Sequence, residues 1–209
     1  MIAIVDYGVG NLKSIANAFE AIGQKVVVTQ RPSEVSAAQG IVLPGVGAFG
    51  DGMKSLRATG LIDTLNKEVL LERKPFLGIC LGLQLLAGVG LEHGEHQGLD
   101  WVDGRVLRLE PDSTEFRVPH IGWNDVRVVR SCPLFENLED GPVFYFLHSY
   151  HFTPAPAQSD SVVATCQHGQ TLTAAVQKGN IFGVQFHPEK SQRSGLRILR
   201  NWVALLGAT

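Results

Sequence analysis

The chain has 209 residues, of which 44% are hydrophobic and only 18% are charged, and its formal net charge is −2. This length is sufficient for one domain with a sizeable core, and the charge balance does not favour binding to nucleic acid or to an anionic membrane surface. No apolar stretch approaches the length of a membrane span, and the first residues lack the basic leader of a signal peptide. We therefore expect a single domain over residues 1–209, located in the reducing cytoplasm.

The first half of the chain alternates between strand and helix patterns. Asn11 is a suitable cap for a helix that ends near residue 22, where Gly23 follows. Near-continuous apolar strands separated by helices are typical of a parallel sheet covered on both faces. The predicted elements are strands at 2–5, 25–29, 40–43 and 76–79, and helices at 11–22, 51–57, 61–71 and 81–87.

The second half is richer in strand patterns and ends in a helix predicted at 195–206. We expect several of its strands to form an antiparallel layer beside the main sheet. The predicted fold class is therefore α/β, with a mostly parallel central sheet, helices on both faces and an additional antiparallel layer. The predicted strands lie at 101–109, 125–129, 143–147, 161–167, 173–177 and 181–185.

The clearest chemical motif is a cysteine between two glycines, Gly78-Ile79-Cys80-Leu81-Gly82. An apolar strand precedes it and an apolar helix follows it, which is the context of a nucleophile elbow with sulfur as the nucleophile. Glycines are needed there because the tight turn strains the nucleophile's backbone and brings neighbouring segments close together. The first N–H groups of the helix would face the sulfur, which favours the thiolate.

A second motif, His187-Pro188-Glu189, follows a predicted buried strand. Pro188 disfavours helix at His187, so we expect an extended segment in which residues two apart project to the same side. Glu189 could then orient the imidazole while its other ring nitrogen faces Cys80. We predict a catalytic triad of Cys80, His187 and Glu189, in preference to a structural cysteine and an unrelated histidine.

Both motifs resemble those of the class I, triad-type glutamine amidotransferases. The resemblance narrows to the branch that supplies ammonia to imidazole glycerol phosphate synthase in histidine biosynthesis, and it covers essentially the whole chain. The loop Pro-Gly-Val-Gly differs from the Pro-Gly-Pro-Gly of many relatives, the triad shows no departure, and His151 and residues 91–97 are less distinctive. The matching stretches are 4–12, 44–50, 78–84, 119–124, 145–150 and 183–190.

The resemblance implies hydrolysis of L-glutamine to glutamate and ammonia through a cysteine thioester. The elbow makes the backbone N–H of Leu81 one oxyanion donor. We predict the second donor from Val46 or Gly47, in preference to a merely flexible turn there, and we place Gly45 against the substrate.

The other predicted contacts to glutamine lie on two elements. Gln84 is four residues after Cys80, hence on the same helix face. His148, Ser149 and Tyr150 end another predicted strand, where a packed aromatic strand end is the alternative reading.

The implied partner is a cyclase subunit with a (β/α)8 barrel, in a 1:1 heterodimer that makes imidazole glycerol phosphate and an aminoimidazole carboxamide ribonucleotide. We expect Asn11 and Trp123 at the interface, although Trp123 could instead belong to the core. Three alternatives remain open: a glutaminase of another pathway, a partner-binding subunit that has lost turnover, and a cysteine protease.

The remaining cysteines and histidines do not indicate a metal or a cofactor. Three cysteines at irregular spacing do not form a disulfide framework, and no Cys-x-x-Cys pair is present. His93 and His96 lie in a glycine-rich segment that is more typical of a solvated loop. We interpret Cys132 and Cys166 as structural thiols, and Gly8-Val9-Gly10 lacks the third glycine of a dinucleotide fingerprint. We therefore predict no metal and no cofactor.

Overall fold

The computed structural model describes residues 1–207 of the chain. The first half alternates strands and helices as predicted, with one addition, a short helix that begins at Pro32. Its elements are β1 (Ile2–Val5), α1 (Leu12–Glu20), β2 (Val26–Thr29), α2 (Pro32–Ala37), β3 (Gly40–Gly45), α3 (Phe49–Ala58), α4 (Ile62–Leu65), a π-helical segment (Asn66–Leu71), β4 (Phe76–Cys80) and α5 (Leu81–Gln84).

The second half consists mainly of strands and ends in one long helix. Its strands are β5 (Val89–Gly90), β6 (His96–Gln97), β7 (Gly104–Arg108), β8 (His120–Asp125), β9 (Arg127–Val128), β10 (Val143–His148), β11 (Tyr150–Pro154), β12 (Val162–Gln167), β13 (Thr171–Lys178) and β14 (Ile181–Val184). Its helix is α6 (Gln192–Ala204), and short 3₁₀ turns lie at Pro133–Phe135, Pro156–Ser161, Pro188–Lys190 and Leu205–Gly207. Of the helices in residues 1–207, none has the length and apolarity needed to cross a membrane.

The central sheet has eight strands in the order β2-β1-β3-β4-β14-β13-β12-β9. The first five are parallel to their neighbours, and the last three continue the sheet in antiparallel fashion. Two smaller sheets pack beside it, a β10-β8 ribbon and a sheet in the order β11-β7-β5-β6. The predicted α/β class is confirmed. Several predicted strands of the second half lie in the two smaller sheets, whereas β12 and β13 extend the main sheet.

Alternate residues of the parallel strands enter two separate cores. In β1, Ile2 and Ile4 face one cluster while Ala3 and Val5 face the other, and all four are buried. Both faces of the sheet are therefore covered, which is why these strands read as continuous apolar runs. On the first face Phe19 of α1 meets Trp202 of α6 edge-to-face, with ring centroids 5.8 Å apart.

Among the differences between the predicted and the observed elements, three have local reasons. The helix predicted at 81–87 is a single turn, Leu81–Gln84, followed by turns. The strand predicted at 125–129 is interrupted at Val126, so that it divides between β8 and β9. Helix α2 was missed because it is only six residues long, although Pro32 at its first turn is a favourable start signal.

A buried ion pair joins Lys74, which follows the π-helical segment, to Glu68 within that segment. Lys74 Nζ lies 2.9 Å from Glu68 Oε2, and both side chains are largely buried. The ammonium also donates to the carbonyl of Ser36 at 2.6 Å. Burial opposes ionisation of Glu68, but the hydrogen bonds from Lys74 and Ser36 and the charge of Lys74 outweigh it and lower the pKa of this carboxyl.

We expect Lys74→Met to reduce the free energy of unfolding at pH 7 by about 3–5 kcal/mol, because it leaves a buried carboxylate without its cation. Urea unfolding measures the change. A carboxyl with a lowered pKa stabilises the fold at pH values above the usual carboxyl pKa, and this stabilisation is lost as the group becomes protonated. The difference in unfolding free energy between variant and wild type should therefore shrink as the pH falls. The exposed Lys54→Met is the control, and equal losses in both variants would contradict a stabilising pair.

Candidate active site

Cys80 ends β4 in a strained conformation. Its backbone has φ 54° and ψ −106°, an unfavourable region for a non-glycine residue. The surrounding glycines allow this geometry. A Cβ on Gly78 would lie 2.6 Å from the carbonyl oxygen of Gly82, and a Cβ on Gly82 would collide with the carbonyl oxygen of Leu43 on β3. The turn at Cys80 therefore has the close packing of a nucleophile elbow.

His187 reaches Cys80 through the neighbouring strand. β14 pairs in parallel with β4, with Val184 opposite Ile79, so both chains leave the sheet at the same edge. His187 itself is extended, with φ −99° and ψ 96°, but Pro188–Lys190 is a 3₁₀ turn. The prediction of a continuous extended segment is therefore wrong. The turn nevertheless brings His187 Nδ1 to 2.8 Å from Glu189 Oε1.

The histidine and its carboxylate partner are almost completely buried. Their side chains are 4% and 2% exposed. Burial disfavours the charged imidazole, but the nearby Cys80 thiol and the hydrogen-bonded carboxylate of Glu189 outweigh it and raise the pKa of His187 to about 10. Within residues 1–207, His187 Nε2 is buried without a hydrogen-bond partner. With Nδ1 engaged by Glu189, Nε2 is the ring atom available for chemistry at Cys80.

A cavity of about 300 Å³ opens above Cys80. Gly45 is buried beside this cavity and does not line it, and a Cβ there would collide with the Tyr7 hydroxyl. A larger cavity, of about 1120 Å³, lies beside β9 and contains none of the predicted triad. Of the predicted site residues, those that line the Cys80 cavity are Val46, Gly47, Leu81, Gln84, His148, Ser149 and Tyr150.

The loop after β3 lies next to the nucleophile because β3 and β4 are paired. Gly45 is opposite Cys80 in this register. Val46 is 43% exposed, and Gly47 has φ 96°, a conformation that other residues rarely adopt. The loop thus presents its peptides at the mouth of the cavity.

Two polar residues of the site were not predicted. Glu92 lines the cavity, and its Oε2 accepts a hydrogen bond of 2.8 Å from the N–H of Phe49, the first residue of α3. Gln185 is fully buried, and its Nε2 donates to Cys80 Sγ at 3.7 Å. Neither stands in a pattern with a recognisable spacing, since Glu92 lies in a glycine-rich loop and Gln185 in an apolar strand end.

The residues predicted at the interface both lie on the surface. Asn11 is exposed and caps α1, its Oδ1 accepting from the N–H of Ser14 at 3.2 Å. Trp123 is 50% exposed and meets Tyr145 edge-to-face at 6.0 Å. The alternative reading of Trp123 as a core residue is therefore wrong.

Cys132, Cys166, His93 and His96 do not line the Cys80 cavity. Cys132 and Cys166 are buried free thiols, and burial raises their pKa values to about 11 and about 12. His93 is exposed, whereas His96 packs against Gly50, where a Cβ would lie 2.7 Å from the ring. No cluster of metal-ligating side chains occurs in the part of the chain that the structure describes.

Comparisons with known proteins agree with this geometry. A model of the family "Glutamine amidotransferase class-I" matches residues 3–205. The imidazole glycerol phosphate synthase subunit HisH of Methanothermobacter thermautotrophicus is 49% identical over 208 residues, covering 100% of both chains. The HisH subunit of Syntrophotalea carbinolica is 48% identical over 206 residues, covering 97% of this chain and 98% of the relative.

Two solved structures share the fold at low identity. One, described as a glutamine amidotransferase, has a TM-score of 0.73 at 20% identity and covers 99% of this chain and 100% of its own. The other, PurLQS from Thermotoga maritima, has a TM-score of 0.72 at 20% identity and 98% coverage of both chains. The family match and the HisH relatives show that the chain belongs to the class I glutamine amidotransferases and, within them, to the HisH family.

The elbow packing gives a direct test. We expect Gly82→Ala to reduce the free energy of unfolding by about 1–3 kcal/mol, because its Cβ would meet the backbone of Leu43. The rate of Cys80 alkylation by iodoacetamide should change as well, since relief of the clash must move the turn. Gly207→Ala is the control, because a Cβ there meets nothing within 4 Å. Identical stability and thiol reactivity in both variants would contradict this packing argument.

Proposed function

We propose that the chain is the glutaminase subunit of imidazole glycerol phosphate synthase, hydrolysing L-glutamine and delivering ammonia to a cyclase subunit. The observation that carries this proposal is a cysteine on a strained backbone turn. Its thiol lies beside a buried histidine–glutamate pair, and the cysteine lines a cavity. The HisH relatives supply the identity of the pathway, histidine biosynthesis.

The first half-reaction forms a thioester. The Cys80 thiolate attacks the side-chain amide carbon of glutamine, and the carbonyl π electrons move to oxygen. His187, whose raised pKa keeps it protonated at neutral pH, donates its Nε2 proton to the amide nitrogen. The C–N bond then breaks, ammonia leaves, and a glutamyl thioester and neutral His187 remain.

The second half-reaction regenerates the thiolate. Neutral His187 takes a proton from water, and the resulting hydroxide adds to the thioester carbon. The carbonyl re-forms as the C–S bond breaks with its electron pair on sulfur, which restores the starting thiolate–imidazolium pair. The released γ-carboxylic acid gives its proton to solvent and leaves as glutamate. Glu189 remains ionised throughout and fixes the orientation of the ring through Nδ1.

Both half-reactions place negative charge on the former amide oxygen. The N–H of Leu81, at the start of α5, has no acceptor within its helix and lies next to the sulfur. The exposed loop of Val46 and Gly47 supplies the second donor across the cavity mouth. Each such donor can lower the barrier by about 3–4 kcal/mol.

The rest of the cavity suits the amino-acid end of glutamine. The carboxylate of Glu92 lines the wall and would pair with the α-ammonium group. Ser149 and Tyr150 would bind the α-carboxylate through their backbone and side chains. Both amide hydrogens of Gln84 are used within the protein, so its Oε1 atom is the part of the amide that is left for the substrate.

The cyclase partner, a (β/α)8 barrel in a 1:1 heterodimer, would cover the sheet edge that carries the active site. Ammonia released into water would become ammonium and lose its nucleophilicity, so a docked partner has to receive it. The outer face of the β8–β10 ribbon is suited to such contact because it exposes large apolar side chains beside the site. These are Ile121, Trp123, Val143 and Leu147. Asn11 lies on the same edge, after β1, and we place the complex in the cytoplasm.

Cys80→Ala tests the proposed chemistry. Glutamine-dependent synthesis should fall to the background level, because no thioester can form without the sulfur. Synthesis supported by added ammonium salt should be preserved, since the cyclase site is untouched. Steady-state rates of the assembled complex with each nitrogen source measure both effects, and loss of the ammonium-dependent rate in an intact complex would contradict the assignment.

Trp123→Ala tests the proposed interface. We expect the dissociation constant for the cyclase to rise roughly tenfold or more, as for an aromatic anchor, while the melting temperature of the isolated subunit changes little. Val28→Ala is the control, because Val28 is 41% exposed but lies on β2, the edge strand at the other end of the central sheet from β12 and β9. Calorimetric titration and thermal unfolding give both quantities. An unchanged affinity would remove Trp123 from the interface.

A further inference from the structure

A line of hydrogen bonds runs along the inner face of the β8–β10 ribbon. His148 and His120 are directly opposite one another in the ribbon, and His148 Nε2 lies 3.0 Å from His120 Nδ1. The other ring nitrogen of His120 lies 3.0 Å from Asn124 Nδ2, which also donates to the carbonyl of Gln167 at 2.8 Å. At the opposite end, His148 Nδ1 lies 2.9 Å from the carbonyl oxygen of Tyr150.

The line continues from Tyr150 to the nucleophile. Gln84 Nε2 donates to the same carbonyl oxygen of Tyr150 at 2.8 Å and to Gln185 Oε1 at 3.1 Å. Gln185 Nε2 in turn donates to Cys80 Sγ at 3.7 Å. We call the series Asn124, His120, His148, Tyr150 carbonyl, Gln84 and Gln185 the amide–imidazole chain.

The acceptors fix the direction of every bond in this chain. A carbonyl oxygen only accepts, so His148 carries its proton on Nδ1 and accepts at Nε2. His120 must then donate from Nδ1 and accept at Nε2, which requires a donor at Asn124. Both rings are neutral, because burial and the charge of a neighbouring ring, His168 for His120 and His120 for His148, lower their pKa values to about 4 and about 3.

The amide–imidazole chain and the proposed interface lie on opposite faces of the same ribbon. Along β8 the side chains alternate, so that His120 is buried on the inner face while Ile121 and Trp123 are exposed on the outer face. The side chain of Asn124 lies on the inner face. Asn124 directly follows Trp123, the aromatic residue of the proposed interface. The last donor of the chain faces the sulfur, and its middle acceptor belongs to Tyr150 in the cavity wall.

We propose that the amide–imidazole chain is a positioning device that holds the Tyr150 wall and the Gln185 amide in register with Cys80, with Asn124 as the residue that sets its direction. This inference rests on the proposed glutaminase function. Its members Asn124 and His120 touch neither substrate nor sulfur and act only through the others. Without the Asn124 donor, His120 is free to place its proton on Nε2, which leaves two acceptors facing each other between His120 and His148 and breaks the chain.

The test compares two substitutions of one side chain in the assembled complex with the cyclase. Asn124→Leu removes the donor at similar volume, and we expect the KM for glutamine to rise roughly tenfold, with a smaller change in kcat, the size of effect of one lost buried hydrogen bond. Asn124→Asp cannot donate to a neutral ring, but it can accept from a protonated one. His120 then holds a proton on each nitrogen and still donates to His148, so KM should stay within about threefold of wild type.

Gln167→Ala is the matched control. The side chain of Gln167 donates to Thr171 Oγ1 at 2.8 Å, whereas only its backbone carbonyl accepts from Asn124. Its replacement removes an exposed side chain next to the chain without removing any bond in it, and we expect an unchanged KM.

Titration of the histidine rings by NMR gives a readout that does not depend on turnover. The titratable groups facing His120 are His148 on β10 and His168, whose ring stacks on His120 with centroids 4.1 Å apart. In Asn124→Asp the new carboxylate should raise the pKa of His120 above its ordinary value, whereas in Asn124→Leu His120 should stay neutral and shift proton occupancy towards Nε2.

The outcomes separate this inference from the proposed function. If the wild-type complex turns over glutamine and Asn124→Leu matches Gln167→Ala in KM, the chain has no positioning role. The same conclusion holds if Asn124→Asp is as impaired as Asn124→Leu although its His120 is protonated, or if Asn124→Asp leaves the titration of His120 unchanged. Failure of the wild-type complex to hydrolyse glutamine would overturn the proposed function itself, and this inference with it.

Discussion

The parallel pairing of β4 with β3 on one side and with β14 on the other is the constraint on which the site depends. Parallel neighbours end at the same edge, so a fixed register places the ends of three strands within reach of one another. Cys80, the loop beside it and His187 each follow or end a different one of these strands. Any shift of one residue in register would turn alternate side chains to the opposite face and separate the site.

This pairing also explains how strain at Cys80 is tolerated. The unfavourable backbone angles of the elbow cost of order 1–3 kcal/mol, and they persist only because the surrounding packing leaves no alternative. Gly82 sits against the backbone of β3 at a distance that excludes any side chain, while Leu81 and Leu83 are buried beneath the turn. The strands that align the reacting groups thus also hold the turn in place.

Much of this arrangement could be predicted from residues close together in the sequence. Gly78, Cys80 and Gly82 form a local pattern, and the apolar runs around them identify a strand and a helix start. His187 could be assigned because its motif comes directly after a buried strand. The 3₁₀ turn beyond it could not, since Pro188 disfavours helix at the preceding residue but does not determine the conformation of residues 188–190.

The features that escaped prediction depend on contacts between distant segments. Glu92 reaches the cavity from a glycine-rich loop by capping α3, and Gln185 is a polar residue in an otherwise apolar strand end. The close packing at Gly45 has a similar origin, because the phenol of Tyr7, from the loop after β1, occupies the space beside it. Neighbouring residues in the sequence carry no signal of such contacts.

The neutral pair of His120 and His148 also has a consequence for the behaviour of the protein in acid. An unfolded chain would protonate both rings as the pH falls below about 6.5, whereas the folded protein resists protonation until about pH 4 or about pH 3. Between these limits the unfolded state binds more protons, so the free energy of unfolding decreases as the pH is lowered, and this contribution levels off below about pH 3. The two buried imidazoles therefore make the folded state progressively less favourable in mild acid, a cost that is confined to the inner face of the β8–β10 ribbon.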